Sequence, residues 1–435
     1  MSDTHSQTAL YVADALLPEQ PAPRASRGPA AWLRENLFSS IGNAIVTVIT
    51  LAIVVFLVWS FAPWFLNGVW DASSVRECRE ILAGEHGGCF AVLVKRFDQL
   101  MFGFYDASQI WRPTLALALF VPAVVPVLAE GKVQRLWPLT LLYPLVAYYL
   151  IFGGAIWGIA AFLLGFAIAY GVFRALAASL SSPMSALLAA LVTVVYWLVF
   201  ADDVSSALRS TFGFVGLRPI ETAKMGGVLL AMIIGVSGIV LSFPIGILLA
   251  LGRQSDLPVL KMICVGFIEF FRGVPLITLL FVASVLLNYF LPPGVSFDKL
   301  LRVIVLVVLF ASAYMAEVIR GGLAAVPKGQ YEAAQAMGLP YWDSMRLIIL
   351  PQALKVAIPG IVSTFIGLFK DTTLVSVIGL YDVLGIRTAI DSSPEWKGIF
   401  WEIIVFAGVF FFICCFAMSR YSMYVERKLD TGHRN

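Results

Sequence analysis

Polar and apolar residues are sorted into long blocks along this chain. Residues 1–40 are polar and rich in Pro, Ala and Ser (PEQPAPRASRGPAAW), without apolar periodicity, and predict a disordered tail. The first apolar run starts at Ile41 and ends at Phe61. Roughly 21 residues at 1.5 Å per residue cross a bilayer core of about 30 Å. The run begins too late and lacks the small-residue cleavage site of a secretory signal, so it predicts an anchor. Nine further blocks predict spans: 113–129, 136–152, 156–173, 185–201, 226–251, 262–290, 301–319, 358–379 and 399–419. The count is ten, with eight as the alternative, and the two halves of 136–173, turning at Gly153-Gly154, are the pair in question. The predicted fold is all-α: a multi-span helical bundle in a membrane.

Composition agrees. Of 435 residues, 60% are hydrophobic and 13% charged, with a mean hydropathy of +0.88. Soluble domains run near 45–50% apolar and about 25% charged, so this chain lacks the polar surface to be water-soluble. The net charge of +3 is spread thinly and points to no nucleic-acid partner. The three histidines, His5, His86 and His433, lie outside the apolar blocks, which argues against paired haem ligands and a His-rich metal site. Neither a metal nor a cofactor is called for. No GxxxxGK[ST] loop occurs, so any ATP-driven activity must borrow its motor.

Three polar segments separate the blocks. Residues 63–112 carry six acids and five bases, enough for a small folded cap. Residues 202–225 form a shorter loop, and 320–357 a third interruption. Cys264, Cys414 and Cys415 sit in apolar runs and read as packing residues. Cys78 and Cys89 share the cap: an oxidising compartment would permit a disulfide, and otherwise they are two unlinked thiols.

The 313–351 stretch reads AYMAEVIRGGLAAVPKGQYEAAQAMGLPYWDSMRLIILP. Gly321-Gly322 breaks the span after Glu317 and Arg320. Gln330–Met337 favours helix and stops at Gly338, a natural C′ position, with Pro340 beyond. A second short helix, Trp342–Leu350, stops at Pro351. The first helix presents Ala333, Ala334 and Ala336 beside Tyr331, Met337 and Glu332. Small residues with an aromatic and a Met suit a knob in a partner's groove; the same pattern also suits an amphipathic helix on lipid headgroups.

Here the chain resembles a known family. EAA-x3-G-x9-I-x-LP, carried by Glu332, Ala333, Ala334, Gly338, Ile348, Leu350 and Pro351, is the signature loop of ABC importer permeases. FRGVPLI at 271–277, AYMAEVIRGG at 313–322 and LFKDTTLVSVIG at 368–379 are similar to the polar amino-acid (histidine/glutamine-type) branch. The likeness covers 221–435, a five-span permease domain with a coupling loop at 320–357. The extension at 41–220 resembles the larger permease subunit of general L-amino acid importers. The resemblance implies a bacterial inner-membrane, multi-pass protein working with an ABC ATPase subunit and a second permease, a distinct paralogue. It also implies a periplasmic binding protein that delivers an L-amino acid. The signature loop would then be cytoplasmic, placing 63–112 and 202–225 in the periplasm and 1–40 inside. Lys and Arg lean slightly the same way.

Charges at bilayer depth are costly and functional by default. Glu269/Arg272 and Glu317/Arg320 have i,i+3 spacing and predict structural pairs. Lys370 and Asp371, counted from Ile358, fall just past the midplane, and Thr372 and Thr373 add hydroxyls. A zwitterion needs donors and an acceptor, so these four predict lining of the translocation path, with an inter-subunit ion pair as the alternative. Gly154-x3-Gly158 is a weak helix-packing pattern. An enzyme is not expected, since no HExxH, GxSxG or paired intramembrane acids occur. The rival is an ion-coupled secondary transporter, which predicts internal repeats that the chain does not show.

Overall fold

The computed structural model describes residues 28–129, 133–286, 289 and 297–429. The start of the expected tail, 1–27, lies outside them, as do His5, His433 and the end of the 262–290 span. Two compact units are distinguished: Met1–Val69 with Leu82–Gly88, and Trp70–Ile81 with Cys89–Asn435.

The first unit holds α1 (Pro29–Asn36) and α2 (Ile41–Leu66). The expected tail is therefore helical over 29–36. Pro29 is pre-set for the first turn, and the Asn36 side chain donates to Trp32 O at 2.9 Å. Ser40 caps α2, accepting from Asn43 N at 3.2 Å.

The second unit begins with the cap helices α3 (Val75–Leu82), α4 (Ala91–Lys95) and α5 (Phe97–Phe102). Two helical hairpins follow. The first is α6 (Trp111–Leu128) with α7 (Trp137–Phe152), and the second is α8 (Ile156–Leu176) with α9 (Ser182–Val199). Between them the chain turns at Gly153-Gly154, as expected, and β1 (Gly154–Ala155) pairs antiparallel with β2 (Gly216–Leu217). Gly154 thus belongs to the turn, and a Cβ on Gly158 would meet nothing closer than Ser205 Oγ at 3.9 Å. The Gly154-x3-Gly158 pattern makes no close helix crossing. The 202–225 loop is helical over much of its length: α10 (Ala201–Phe212) follows α9 at a 56° bend.

The C-terminal half is built on α11 (Gly227–Arg253). Next come α12 (Pro258–Gly273) and α13 (Leu276–Phe281), bent by 98° at their break. The sequence predicts one uninterrupted span here. The break falls within FRGVPLI, where Pro275 drives Val274 to an extended conformation (φ −111°, ψ 130°). Then follow α14 (Lys299–Ala325), α15 (Lys328–Ala336), α16 (Tyr341–Ser344), α17 (Leu350–Asp371), α18 (Val383–Asp391) and α19 (Trp401–Leu429). Over the described residues, each of the ten predicted blocks falls on apolar helix, with 262–290 divided between α12 and α13. Among the described residues, seven helices are long and apolar enough to span, nine if each bent pair counts once, and Trp137–Phe152 is a shorter apolar helix.

Two buried clusters lie along α11. Near its start, Leu229, Leu230 and Ile234 pack with Leu300, Val303, Val307, Leu368 and Val375. Near its end, Ala250 and Leu251 pack with Ile268, Met315, Ile319, Ile349 and Ala353. Helix α11 thus separates a cap end from an elbow end by about 40 Å at 1.5 Å per residue. At the cap end, Gly227 N donates to Tyr381 O at 2.7 Å, and Gly227 lies against Leu100 of α5. Asp382 there is fully buried and caps α18, accepting from Gly385 N at 2.8 Å. Burial pushes its carboxyl up to about 6.

Candidate functional site: the elbow and the charged helix ends

The elbow joins α14 to α17. Helix α15 ends in a Schellman turn: Gly338 N donates to Gln335 O at 2.9 Å and Leu339 N to Ala334 O at 3.2 Å. Gly338 stands at φ +70°, a left-handed conformation strained for any side chain. The signature residues divide between two roles. Glu332, Ala333, Ala336 and Met337 face outward, with Met337 78% exposed. Ala334 is buried, which corrects its predicted place on the outward face. Tyr331 is also turned inward, packing on the elbow-end cluster with its hydroxyl donating to Leu323 O at 3.4 Å. Ile348 and Leu350 pack on that cluster too, and seat the elbow.

Pro351 does not stop the second helix. The helix runs from Tyr341 to Ile378 through a π-helical turn at Met345–Ile349, where Leu350 N reaches back to Met345 O. The wider turn accommodates a proline that lacks an N–H and crowds the preceding turn. The second arm of the elbow is therefore continuous with a spanning helix. Gln352 on α17 also donates to Gln330 Oε1 on α15 at 3.1 Å, bracing the two arms.

A five-charge cluster lies at the same end. Glu317 accepts from Arg253 Nη1 at 2.6 Å and from Arg320 Nη2 at 3.0 Å, with Arg272 Nη1 at 3.7 Å. Arg253 also reaches Glu269 at 3.1 Å. The Glu317/Arg320 pair forms as its spacing predicts. Glu269/Arg272 does not: each pairs across to another helix instead. The residue that reorganises the cluster is Arg253, at the end of α11, which the sequence reading missed. Its signal was only its place at the edge of an apolar block.

Lys370 and Asp371 close α17, and the chain tightens into a 3-10 segment at Thr372–Ile378. Lys370 is exposed and Asp371 half-buried, and no ion pair joins them among the described residues. Thr372 is buried, and its hydroxyl donates to Phe369 O at 2.7 Å; that of Thr373 donates to Lys370 O at 2.9 Å. Phe369 and Thr372 lie against Gly235, about 12 Å from the cap end of α11. The segment thus sits nearer the cap end than a count from Ile358 places it, because α17 begins earlier.

In the cap, Cys78 and Cys89 are joined, with Cα atoms 5.8 Å apart. Cys89 N donates to the buried Glu402 Oε1 of α19 at 2.9 Å. Ser73, through its hydroxyl and its N–H, holds the Glu77 carboxyl below the usual carboxylate range.

Residues 242–431 match the family described as binding-protein-dependent transport system inner membrane component. The chain is 52% identical to the glutamate/glutamine/aspartate/asparagine transport system permease protein BztC of Rhodobacter capsulatus, with 100% of both chains covered. It is 38% identical to the inner membrane amino-acid ABC transporter permease protein YhdY of Escherichia coli K12, over 95% of this chain and 97% of that one. The glutamate/aspartate import permease protein GltK of Escherichia coli O6:H1 is 31% identical over 98% of its own length and 50% of this chain. A smaller permease thus corresponds to half of this protein, while the larger relatives share its whole length. The chain belongs to the binding-protein-dependent inner membrane transport components, as a multi-pass permease of the amino-acid ABC transporter branch.

Proposed function

We propose that this chain is one permease subunit of an ATP-driven importer of L-amino acids, working beside a second, distinct permease and a separate ABC ATPase. The elbow faces the cytoplasm and fits a groove on the ATPase; the cap faces the periplasm, where a binding protein delivers substrate. The observation that carries this reading is the elbow's build. An outward face of Glu332, Ala333, Ala336 and Met337 is held by a Schellman turn and continues without a break into a spanning helix. Small residues admit a partner's backbone, Met337 supplies anchoring area, and the stem carries a push into the membrane. Family membership leaves no support for an ion-coupled transporter, in which such an elbow has no task. The relatives' names point to acidic and amide amino acids as the substrate class.

Gly338→Asp or Glu332→Lys is expected to abolish ATP-dependent uptake while membrane insertion stays intact. Normal uptake in either variant would contradict the docking role.

For the path, the proposal narrows to Lys370 and Asp371. The hydroxyls of Thr372 and Thr373 donate to their own helix, whereas the two charges lie where the helix tightens and, among the described residues, form no ion pair, so they could receive a carboxylate and an ammonium. Asp371→Asn is expected to raise the substrate concentration for half-maximal uptake at least tenfold in a complex that still hydrolyses ATP. Unchanged uptake kinetics would remove Asp371 from the path.

A further inference from the structure

The cap carries a groove that neither the elbow nor the path uses. One wall is α3, tied by the Cys78–Cys89 bond, and the other is the turn Pro394–Lys397 ahead of α19. Both walls are rigid. Trp396 is 2% exposed and pins its turn from below, and Gly398 N donates to Asp391 Oδ1 at 2.7 Å to close it. Its charges are not all balanced. Glu80 is taken by Arg76 at 3.1 Å, and Glu395 by Arg96 at 3.7 Å. Arg79 and Lys397 are exposed and form no ion pair among the described residues. The uncommitted charge on the groove is therefore cationic, and it lies on the face opposite the elbow.

We propose that this groove is a docking site for the soluble binding protein, with Arg79 and Lys397 receiving carboxylate side chains from one of its lobes. The inference rests on the functional reading above, which requires such a partner at the cap face. Two features favour a protein occupant over a free solute. The groove is open and shallow in charge, with no buried donor to grip a small molecule, and its walls come from separate parts of the chain. The wall turn leads directly into α19, and Glu402 in the first turn of α19 holds Cys89. Occupancy of the groove would thus be felt by a spanning helix through a preformed hydrogen bond. Cationic groups facing carboxylates also speed encounter and set orientation.

The test uses the complete complex, with both permeases and the ATPase, in lipid nanodiscs. The readout is the concentration of purified binding protein that gives half-maximal stimulation of ATP hydrolysis. Arg79→Glu with Lys397→Glu is expected to raise that concentration at least tenfold, with the unstimulated rate unchanged and a steeper loss at low salt than at high salt. Glu80→Gln, which frees Arg76, is expected to lower it at least twofold. Lys397→Glu alone, on an exposed turn, carries the same test if the double variant does not assemble. A change of less than twofold in the charge-reversed complex would overturn the groove while leaving the functional reading in place. A wild-type complex that no binding protein stimulates would overturn both. Loss of binding of free aspartate or glutamate by the variant, with stimulation unmoved, would make the groove a small-molecule site and overturn the proposal.

Discussion

The two halves of the membrane region are held together by different means. In the N-terminal hairpins, polar side chains reach across to backbone carbonyls of the neighbouring helix. Tyr143 donates to Ala116 O at 3.1 Å and Thr140 to Ala123 O at 2.6 Å, joining α7 to α6. Tyr196 donates to Ala161 O at 3.0 Å and Trp197 Nε1 to Phe162 O at 3.1 Å, joining α9 to α8. In the C-terminal core the helices press together over small residues at several crossings, whereas the hairpins have one such contact, Gly165 of α8 under Trp197 of α9. A Cβ on Gly246 of α11 would stand 2.7 Å from Met315 of α14, and one on Gly360 of α17 would stand 2.7 Å from Val318. A Cβ on Gly322 would strike the backbone of Ala353. Burial follows these crossings: 44% and 56% of the spanning windows of α11 and α14 are buried, whereas α8 and the C-terminal α19 each bury 11% and the segment Ala107–Leu128 buries 28%.

The difference follows from the solvent. Lipid tails are as apolar as leucine, so helices gain little by hiding leucines from them. Association needs either close backbone contact or a hydrogen bond. The crossings of α11 with α14 and of α14 with α17 use close contact at glycines. The hairpins of the extension add side-chain hydrogen bonds to the carbonyls of the neighbouring helix. Within the extension, buried Arg112 of α6 also donates to Leu150 O of α7 at 2.8 Å and to Arg218 O at 2.9 Å.

Substitutions separate the two regimes. The largest effect is expected from Gly246→Leu, which overpacks the α11–α14 crossing. A loss of about 3 kcal/mol or more is expected, seen as failure to recover folded protein from membranes, while Gly171→Leu, where no atom lies within 4 Å of the added Cβ, serves as the tolerated control. Glu317→Gln removes the negative charge that gathers three arginines. These groups are partly exposed, so solvent screening limits the loss to about 2 kcal/mol, read as a lowered thermal midpoint in detergent. Tyr143→Phe removes one stitch between α6 and α7 and is expected to cost only about 0.6–1 kcal/mol. A Tyr143→Phe effect as large as that of Gly246→Leu would erase the distinction between the halves.

Much of this plan was legible in the chain. Apolar blocks long enough to span became helices because a backbone in lipid must satisfy its own hydrogen bonds. Gly338 was legible as a left-handed stop because the helix-forming run before it was strong. Three features were not. Pro351 looked like a terminator, since a π-turn that accommodates it leaves no local sequence mark. The break at Gly273–Pro275 was hidden within an apolar run. The partners of Glu269 and Arg272 were misjudged because i,i+3 spacing speaks only for one helix, whereas Arg253 arrives from another. Ala334 and Tyr331 turned inward for a related reason: the face that a short helix buries is chosen by its neighbours, here the elbow-end cluster.

The central claim is that the elbow lies in the cytoplasm against the ATPase and carries its motion to the membrane core. The most direct measurement introduces Met337→Cys as the single free thiol in a chain whose Cys264, Cys414 and Cys415 are replaced and whose Cys78–Cys89 bond is kept, and treats cells and inside-out vesicles with a membrane-impermeant thiol reagent. Labelling only in inside-out vesicles, blocked when the ATPase subunit is bound, is the predicted result. Labelling in intact cells, or labelling that the ATPase leaves unchanged, would contradict the account.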